Sequence, residues 1–144
     1  MQYAVPVLFS AWLVALAAWD LRSRRLPNAL TLGGAAVAVA FAAAAGGMGG
    51  LLASLEGGAA CAALLAIPFF LKAAGAGDVK FLFAIGCFFG IARAIETLFL
   101  VSVCGLALAA VFLVFVPKAE RRDVPFGVAI AAGAGLELFF PFLS

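Results

Sequence analysis

The 144-residue chain contains no histidine. This absence excludes Ser-His and Cys-His nucleophilic catalysis, zinc binding through imidazole, and proton relays through imidazole. Cysteine is also scarce, because Cys61, Cys87 and Cys104 are the only three and they lie far apart in apolar runs without a CxxC spacing. We interpret them as small packing residues. Any chemistry must therefore come from the seven acids, the nine bases, a few hydroxyl groups and the backbone.

Charge is equally scarce, since charged residues make up 11% of the chain and hydrophobic residues 67%. Soluble domains contain about 25% charged and about 45–50% apolar residues. A water-soluble fold of this size cannot bury so much apolar surface, so most of the solvent must be lipid. We predict an integral membrane protein with a single domain over residues 1–144. The net charge of +2 gives no reason to expect a nucleic-acid partner.

Apolar segments separated by glycine, proline or charged residues predict an all-α polytopic membrane protein with six transmembrane helices in one bundle. The predicted segments are 4–19, 29–45, 51–71, 81–91, 94–116 and 124–143. The glycine run at 46–50 predicts a tight turn between the second and third helices. Glycine is abundant, and the pairs Gly33–Gly34 and Gly57–Gly58 are candidate points of close helix contact.

The positions of the basic residues predict the orientation of the chain. If the arginine-rich stretch 20–28 is cytoplasmic, eight of the nine bases lie inside and only Arg93 lies outside. The inner bases are Arg22, Arg24, Arg25, Lys72, Lys80, Lys118, Arg121 and Arg122. The same alternation places Asp20 and Asp78 at one membrane face, although they are 58 positions apart in the chain.

Asp20 and Asp78 are therefore candidates for a catalytic carboxylate pair. Two close carboxyl groups share a proton, so one can take a proton from water while the other donates to a carbonyl oxygen. Gly75 and Gly77 would let a substrate backbone approach Asp78. Simpler interpretations stay open: Asp78 can be the N-cap of the fourth helix, and Asp20 a hydrated surface acid or an ion-pair partner of Arg24.

Three other acids, Glu56, Glu96 and Glu137, fall toward the outer side in this orientation. Glu96 can pair with Arg93, three residues earlier on the same helix. An acid inside a membrane helix is a functional candidate, and Glu137 fits that description. Its distance from the cytoplasmic face favours a role in packing or hydrogen bonding.

Three motifs together resemble the type IV prepilin peptidases. The first motif is Asp20–Leu21 followed by Leu26-Pro27-Asn28-Ala29-Leu30-Thr31-Leu32. The second is Gly75-Ala76-Gly77-Asp78-Val79-Lys80, which is similar to the GxGD motif of the family. The third is Val124-Pro125-Phe126-Gly127-Val128-Ala129. They occur in the family's order and span nearly the whole chain. The resemblance implies a multi-pass aspartyl endopeptidase of the bacterial inner membrane. Such an enzyme removes the basic leader of a prepilin at the cytoplasmic border of the membrane, just before the hydrophobic pilin helix.

The resemblance implies that Asp20 and Asp78 are the catalytic residues and that Gly75 and Gly77 shape the loop beside them. The other residues that it places around the site are Pro27, Asn28, Lys80, Pro125, Phe126 and Gly127. It implies no metal ion and no organic cofactor. We expect no methyltransferase activity, because the sequence has no amino-terminal domain with paired CxxC motifs.

The compact form resembles the peptidases of tight-adherence (Flp) pili, with archaeal preflagellin peptidases as an alternative that shares the GxGD core. A rival interpretation is a non-enzymatic membrane module, such as a small transporter subunit or an assembly scaffold. That rival explains the composition and topology, and it treats both aspartates as caps or members of ion pairs.

Overall fold

The computed structural model describes residues 4–23, 25–71, 74–116 and 125–140, and the regular structure in these ranges is α-helical. The five helices are α1 (Ala4–Ser23), α2 (Asn28–Phe70), α3 (Ala76–Phe89), α4 (Ile91–Phe115) and α5 (Phe126–Phe139). The predicted all-α class is therefore confirmed. Several predicted features lie outside the described residues: Arg24, Lys72, the charged loop 117–123, Val124, and the segment 141–143.

Two helix boundaries differ from the prediction in a way that matters for the aspartates. The first helix continues beyond Trp19 to Ser23, so Asp20 lies in its last turns and not in the following loop. Helix α3 begins at Ala76, whereas the sequence predicted a start at Phe81. Hydrophobicity marks only the apolar part of a helix, and here each helix extends into polar residues at its end. Both aspartates are thus held by regular helical backbone.

The glycine run at 46–50 forms the turn that the sequence predicted. Helical residues lie on both sides of this turn, and both stretches are part of α2. Gly47 has φ 58° and ψ −141°, a non-helical conformation that glycine adopts without a steric penalty. A Cβ atom added to Gly50 would overlap with the backbone oxygen of Ala42. Eight residues of straight helix span about 12 Å, so this contact requires the chain to double back at Gly47.

Within the described residues, three helical segments are long and apolar enough to cross a membrane: Val5–Ser23, Asn28–Ile67 and Ile91–Phe115. The six spans predicted from the sequence are therefore not confirmed. Helices α3 and α5 have 14 residues each, which is about 21 Å of helix against about 30 Å of hydrocarbon. Many large apolar side chains on α1, α2 and α4 are exposed, as expected for helices that face lipid.

The chain forms two compact units, and one of them comprises Leu26–Leu98. In this unit α2 packs against α3 at the predicted glycine pair. A Cβ atom added to Gly57 would overlap with the backbone of Gly86 and Gly90, and one added to Gly58 would lie 2.5 Å from the sulfur of Cys87. The prediction of close contact is thus confirmed for Gly57–Gly58. It is wrong for Gly33, around which a Cβ atom would meet nothing within 4 Å.

Polar and sulfur-containing side chains complete the contact between α2 and α3. The Ser54 hydroxyl group donates a 2.7 Å hydrogen bond to the carbonyl oxygen of Cys87. Cys61 and Cys87 are buried free thiols, as expected of packing residues, while Cys104 is half-buried. Buried Phe81, Leu82 and Ile85 supply most of the apolar core on the α3 side.

The other unit comprises Met1–Arg25 and Phe99–Ser144. Helix α1 packs against α5 in this unit. Buried Phe9, Leu13 and Leu16 follow one face of α1 at helical spacing, and buried Asp20 continues that face toward the end of the helix. A Cβ atom added to Gly133 of α5 would lie 2.6 Å from the Cα atom of Val101 in α4. Backbone contact at glycine therefore joins helices in this unit as well.

We predict that Gly57→Ala lowers the free energy of unfolding by about 1–3 kcal/mol, the usual cost of overpacking a close contact. The added methyl group meets backbone atoms of Gly86 and Gly90, which cannot move aside as the end of a flexible side chain can. Denaturant-induced unfolding in detergent micelles measures the change.

Gly33→Ala is the matched control, since it adds the same methyl group to the same helix in open space. Its stability should stay unchanged or rise by up to about 1 kcal/mol, because alanine favours the helix over glycine. Equal destabilisation by the two substitutions would contradict a specific contact at Gly57.

Candidate active site

Asp20 is a buried acid on α1, with 5% of its surface exposed. The apolar face formed by Phe9, Leu13 and Leu16 leads directly to it along the helix. The interpretation of Asp20 as a hydrated surface acid is therefore wrong. A buried carboxyl group requires polar or charged surroundings, because its charged form is costly away from water.

The first turn of α5 lies against the Asp20 carboxyl group. A Cβ atom added to Gly127 would lie 2.8 Å from Asp20 Oδ2 and 2.9 Å from its Cγ. Only glycine leaves room for the carboxyl group at this position. The first turn of a helix also carries partial positive charge, which favours a carboxylate beside it.

The Pro-Phe-Gly sequence explains why α5 begins at this point. Pro125 is the residue before the helix, with φ −72°, and its carbonyl oxygen accepts a 3.1 Å hydrogen bond from the amide of Val128. The ring of Phe126 packs against Gly105 of α4, where an added Cβ atom would lie 3.0 Å from the ring edge. In this motif, therefore, Pro125 caps the start of the helix and the ring of Phe126 packs against α4. Gly127 leaves room for the Asp20 carboxyl group.

Asp78 lies in the first turn of α3 and is half-buried. Its Oδ2 atom accepts a 3.2 Å hydrogen bond from the backbone amide of Gly75, the residue that precedes the helix. The interpretation of Asp78 as the N-cap is wrong in position, because Gly75 is the N-cap and Asp78 is the third residue of the helix. The side chain reaches back to cap the helix start, in the manner of the acid in a capping box.

The segment Leu26-Pro27-Asn28 lies beside this turn of α3. A Cβ atom added to Gly77 would lie 3.1 Å from Leu26 Cβ and 3.5 Å from the Leu26 amide nitrogen. The ammonium group of Lys80 donates a 2.8 Å hydrogen bond to Asn28 Oδ1. Two motifs that are about fifty positions apart in the sequence are therefore neighbours in this unit.

Pro27 determines how the segment enters α2. With φ −70° and ψ 131° it is the residue before the helix, and its carbonyl oxygen accepts 3.1 Å hydrogen bonds from the amides of Leu30 and Thr31. The hydroxyl group of Thr31, which is fully buried, also points to this oxygen at 3.3 Å. The start of α2 is thus well defined, which fixes the position of Asn28.

Three further acids, Glu56, Glu96 and Glu137, belong to the described residues. Glu56 is exposed, whereas Glu96 is 5% and Glu137 0% exposed. Glu137 lies ten residues beyond Gly127 on α5, about 15 Å along the helix axis. It is therefore remote from the Asp20 carboxyl group. Within the described residues, no group of three His, Cys, Asp or Glu side chains is placed to hold a metal ion.

The structure groups the predicted site residues into two sets, one in each unit. Asp20 lies with Pro125, Phe126 and Gly127; Asp78 lies with Gly75, Gly77, Lys80, Pro27 and Asn28. Two neighbours were not predicted as site residues: Leu26, which contacts Gly77, and Gly105, which contacts Phe126. Leu26 belongs to the first motif, so its place in that motif could have identified it as a site residue. Nothing local in the sequence distinguishes Gly105 from the other glycines.

The long apolar helices are those of a membrane protein. Its two candidate carboxyl groups, Asp20 and Asp78, lie at helix ends. The model of the type IV leader peptidase family (Peptidase_A24) matches residues 7–110, and the chain therefore belongs to this family. The match includes Asp20 and Asp78 and ends before Pro125. It confirms the resemblance drawn from the motifs and implies that the protein is a protease. Comparisons with curated proteins and with solved structures gave no match.

If Asp20 is a reacting group, we predict that Gly127→Ala lowers protease activity by about ten- to hundredfold, since displacing such a group by about 1 Å can cost a factor of 10². The new methyl group would push the Asp20 carboxyl group away from its position. Steady-state cleavage by the purified variant measures the loss.

Gly135→Ala provides the control on the same helix, because a Cβ atom there meets nothing within 4 Å. Its activity should match that of the wild type. A Gly127→Ala variant with full activity would show that the contact with Asp20 has no part in the reaction.

Proposed function

We propose that the protein is an aspartic endopeptidase that removes the leader peptide of prepilins, with Asp20 and Asp78 as its catalytic pair. The observation that carries the proposal is the family match over residues 7–110, which contains both aspartates. The local structure supports it. Each aspartate lies at a helix end with a glycine of one of the three motifs beside it: Gly127 of the third motif at Asp20 and Gly75 of the second motif at Asp78.

The proposed reaction uses one ionised and one protonated carboxyl group. The ionised member takes a proton from water as the water oxygen attacks the scissile carbonyl carbon, while the protonated member donates its proton to the carbonyl oxygen. When the tetrahedral intermediate collapses, the C–N bond breaks and the leaving nitrogen takes the proton that the first carboxyl group had accepted from water. At the same time a hydroxyl group of the intermediate returns its proton to the other carboxylate, and the new acid is released. The pair then again holds a single shared proton.

The covalent chain supports the pairing of the two acids. Asp20 and Leu26 are six positions apart. Even a fully extended chain of this length spans only about 20 Å. Leu26 contacts Gly77, the residue immediately before Asp78. A short connection therefore leads from one acid to the turn that holds the other.

Peptidases of this family act on prepilin-type substrates, and we propose such a substrate here, of the Flp-like class. Its hydrophobic helix would lie in the bilayer against glycine- and alanine-rich helix faces. Its basic leader would lie in the cytoplasm, near Asp20 and Asp78. The proposed location is the bacterial inner membrane.

The proposed topology has six spans in one bundle, with the two legs of α2 counted separately on either side of Gly47. The distribution of the basic residues supports a cytoplasmic position for Asp20 and Asp78. The non-helical backbone at Gly47 supports the separation of the two legs. In this topology the glycine run at 46–50 lies on the outer side.

We predict that Asp20→Asn and Asp78→Asn each lower leader cleavage by about 10²–10⁴-fold or more, the usual contribution of general acid–base catalysis. The amide keeps the size of the side chain but cannot take up the proton of the attacking water. Cleavage of a model prepilin in detergent, followed by mass spectrometry of the products, measures the loss.

Glu137→Gln is the control for removing a buried acid. Glu137 is fully buried on α5 but remote from Asp20, so this variant should keep most of its activity. Full activity of either aspartate variant would refute the catalytic pair. Complete loss in Glu137→Gln would mean that the reaction uses a third acid.

Single-cysteine labelling tests the topology in a variant without the native cysteines. Ser23→Cys and Ala76→Cys, both at exposed positions, should react with a membrane-impermeant maleimide from the cytoplasmic side. Met48→Cys, at a side chain that is 69% exposed, should react from the outer side. Reaction of positions 23 and 76 from opposite sides would rule out a shared active site.

A further inference from the structure

The hydrogen bond between Lys80 and Asn28 joins two motifs, and the catalytic pair does not explain it. The Lys80 ammonium group lies 2.8 Å from Asn28 Oδ1, and both residues belong to the unit Leu26–Leu98. Lys80 is half-buried, and Asn28 is the first residue of α2. The bond therefore connects the starts of two helices that enter the fold next to each other.

From these contacts we propose that Lys80 and Asn28 are positioning residues that hold the first turn of α3 against the start of α2 and thereby aim the Asp78 carboxyl group. The inference rests on the proposed function, in which Asp78 is catalytic. Neither residue touches the reacting atoms in this role. Each acts through the orientation of the first turn of α3.

The helical geometry of α3 links the bond to the direction of Asp78. Gly77 and Lys80 are three positions apart, so they lie on one face of the helix, and both contact the segment Leu26–Asn28. Asp78 lies roughly 100° around the helix from Gly77 and roughly 200° from Lys80. The face that holds α3 in place is thus separate from the face that carries the acid.

Contacts with α2 at Gly86 and Cys87 hold the later turns of α3. At the first turn, Gly77 has no side chain, so its contact with Leu26 supplies no side-chain hydrogen bond. A hydrogen bond is directional, and Lys80 supplies one to a residue whose own position is fixed by the start of α2. A twist of the first turn by about 20° would move a group at the edge of the helix, about 6 Å from its axis, by about 2 Å. Displacements of this size are large for a reacting group.

The test measures kcat and KM for a model prepilin with Lys80→Met, Asn28→Ala and the double variant. Each single variant should lower kcat about tenfold, which corresponds to about 1.4 kcal/mol, with KM unchanged within about twofold. The double variant should be no slower than the single variants, because either substitution already removes the bond. Asn28→Asp keeps an acceptor for the ammonium group, and its kcat should stay within about threefold of the wild type.

A second measurement needs no substrate. Hydrogen exchange of the backbone amides of residues 75–80 should become about tenfold faster in Lys80→Met and in Asn28→Ala, because the turn opens more often without the bond. Asn28→Asp should restore the slower exchange. Thr97→Val is the control: it removes a 2.9 Å hydrogen bond to Arg93 in the same unit and should change neither kcat nor exchange at residues 75–80.

Three outcomes would overturn the proposal. Additive losses in the double variant would show that the two residues act separately. A raised KM in Lys80→Met alone would assign the lysine to substrate binding. Unchanged exchange in both single variants would show that the bond does not hold the turn. If the wild type cleaves no prepilin, the proposed function fails, while the exchange measurement still decides whether Lys80 and Asn28 hold α3.

Discussion

Close backbone approach at glycine is the constraint on which both units of this protein depend. Helices in lipid gain little from burying apolar side chains against each other, so their association relies on tight packing and hydrogen bonds. Gly57 and Gly86 bring α2 and α3 together, and Gly133 brings α5 onto α4. The same device serves the acidic groups, because Gly127 leaves the space that the Asp20 carboxyl group occupies. Glycine therefore permits both the close packing of the helices and the placement of Asp20 in this chain.

The two aspartates are held in different ways. Asp20 is buried at the end of an apolar helix face and lies against the first turn of α5. Asp78 is half-buried and accepts a hydrogen bond from the Gly75 amide at the start of its own helix. One carboxyl group therefore depends on packing between helices, whereas the other depends on a local turn.

The sequence and the structure agree where a feature is local, and they differ where it depends on packing. Composition predicted the membrane environment, and the glycine run at 46–50 predicted the turn at Gly47. Helix ends were less predictable: α1 reaches Ser23 and α3 begins at Ala76, in polar stretches where hydrophobicity carries no signal. Gly33 shows the same limit, because it looks like Gly57 in the sequence but has no neighbour within 4 Å of an added Cβ atom.

The sequence by itself determined the class of environment, the family motifs and the identity of the candidate acids, since each of these follows from composition or from residues close together in the chain. Only the tertiary structure decided which residues surround each acid. Gly127 meets Asp20 across 107 positions, and Lys80 meets Asn28 across 52. Contacts at such separations arise from the way helices pack side by side. No pattern along the chain encodes that packing directly, because the helix faces that meet are chosen by the fit of all the helices in a unit.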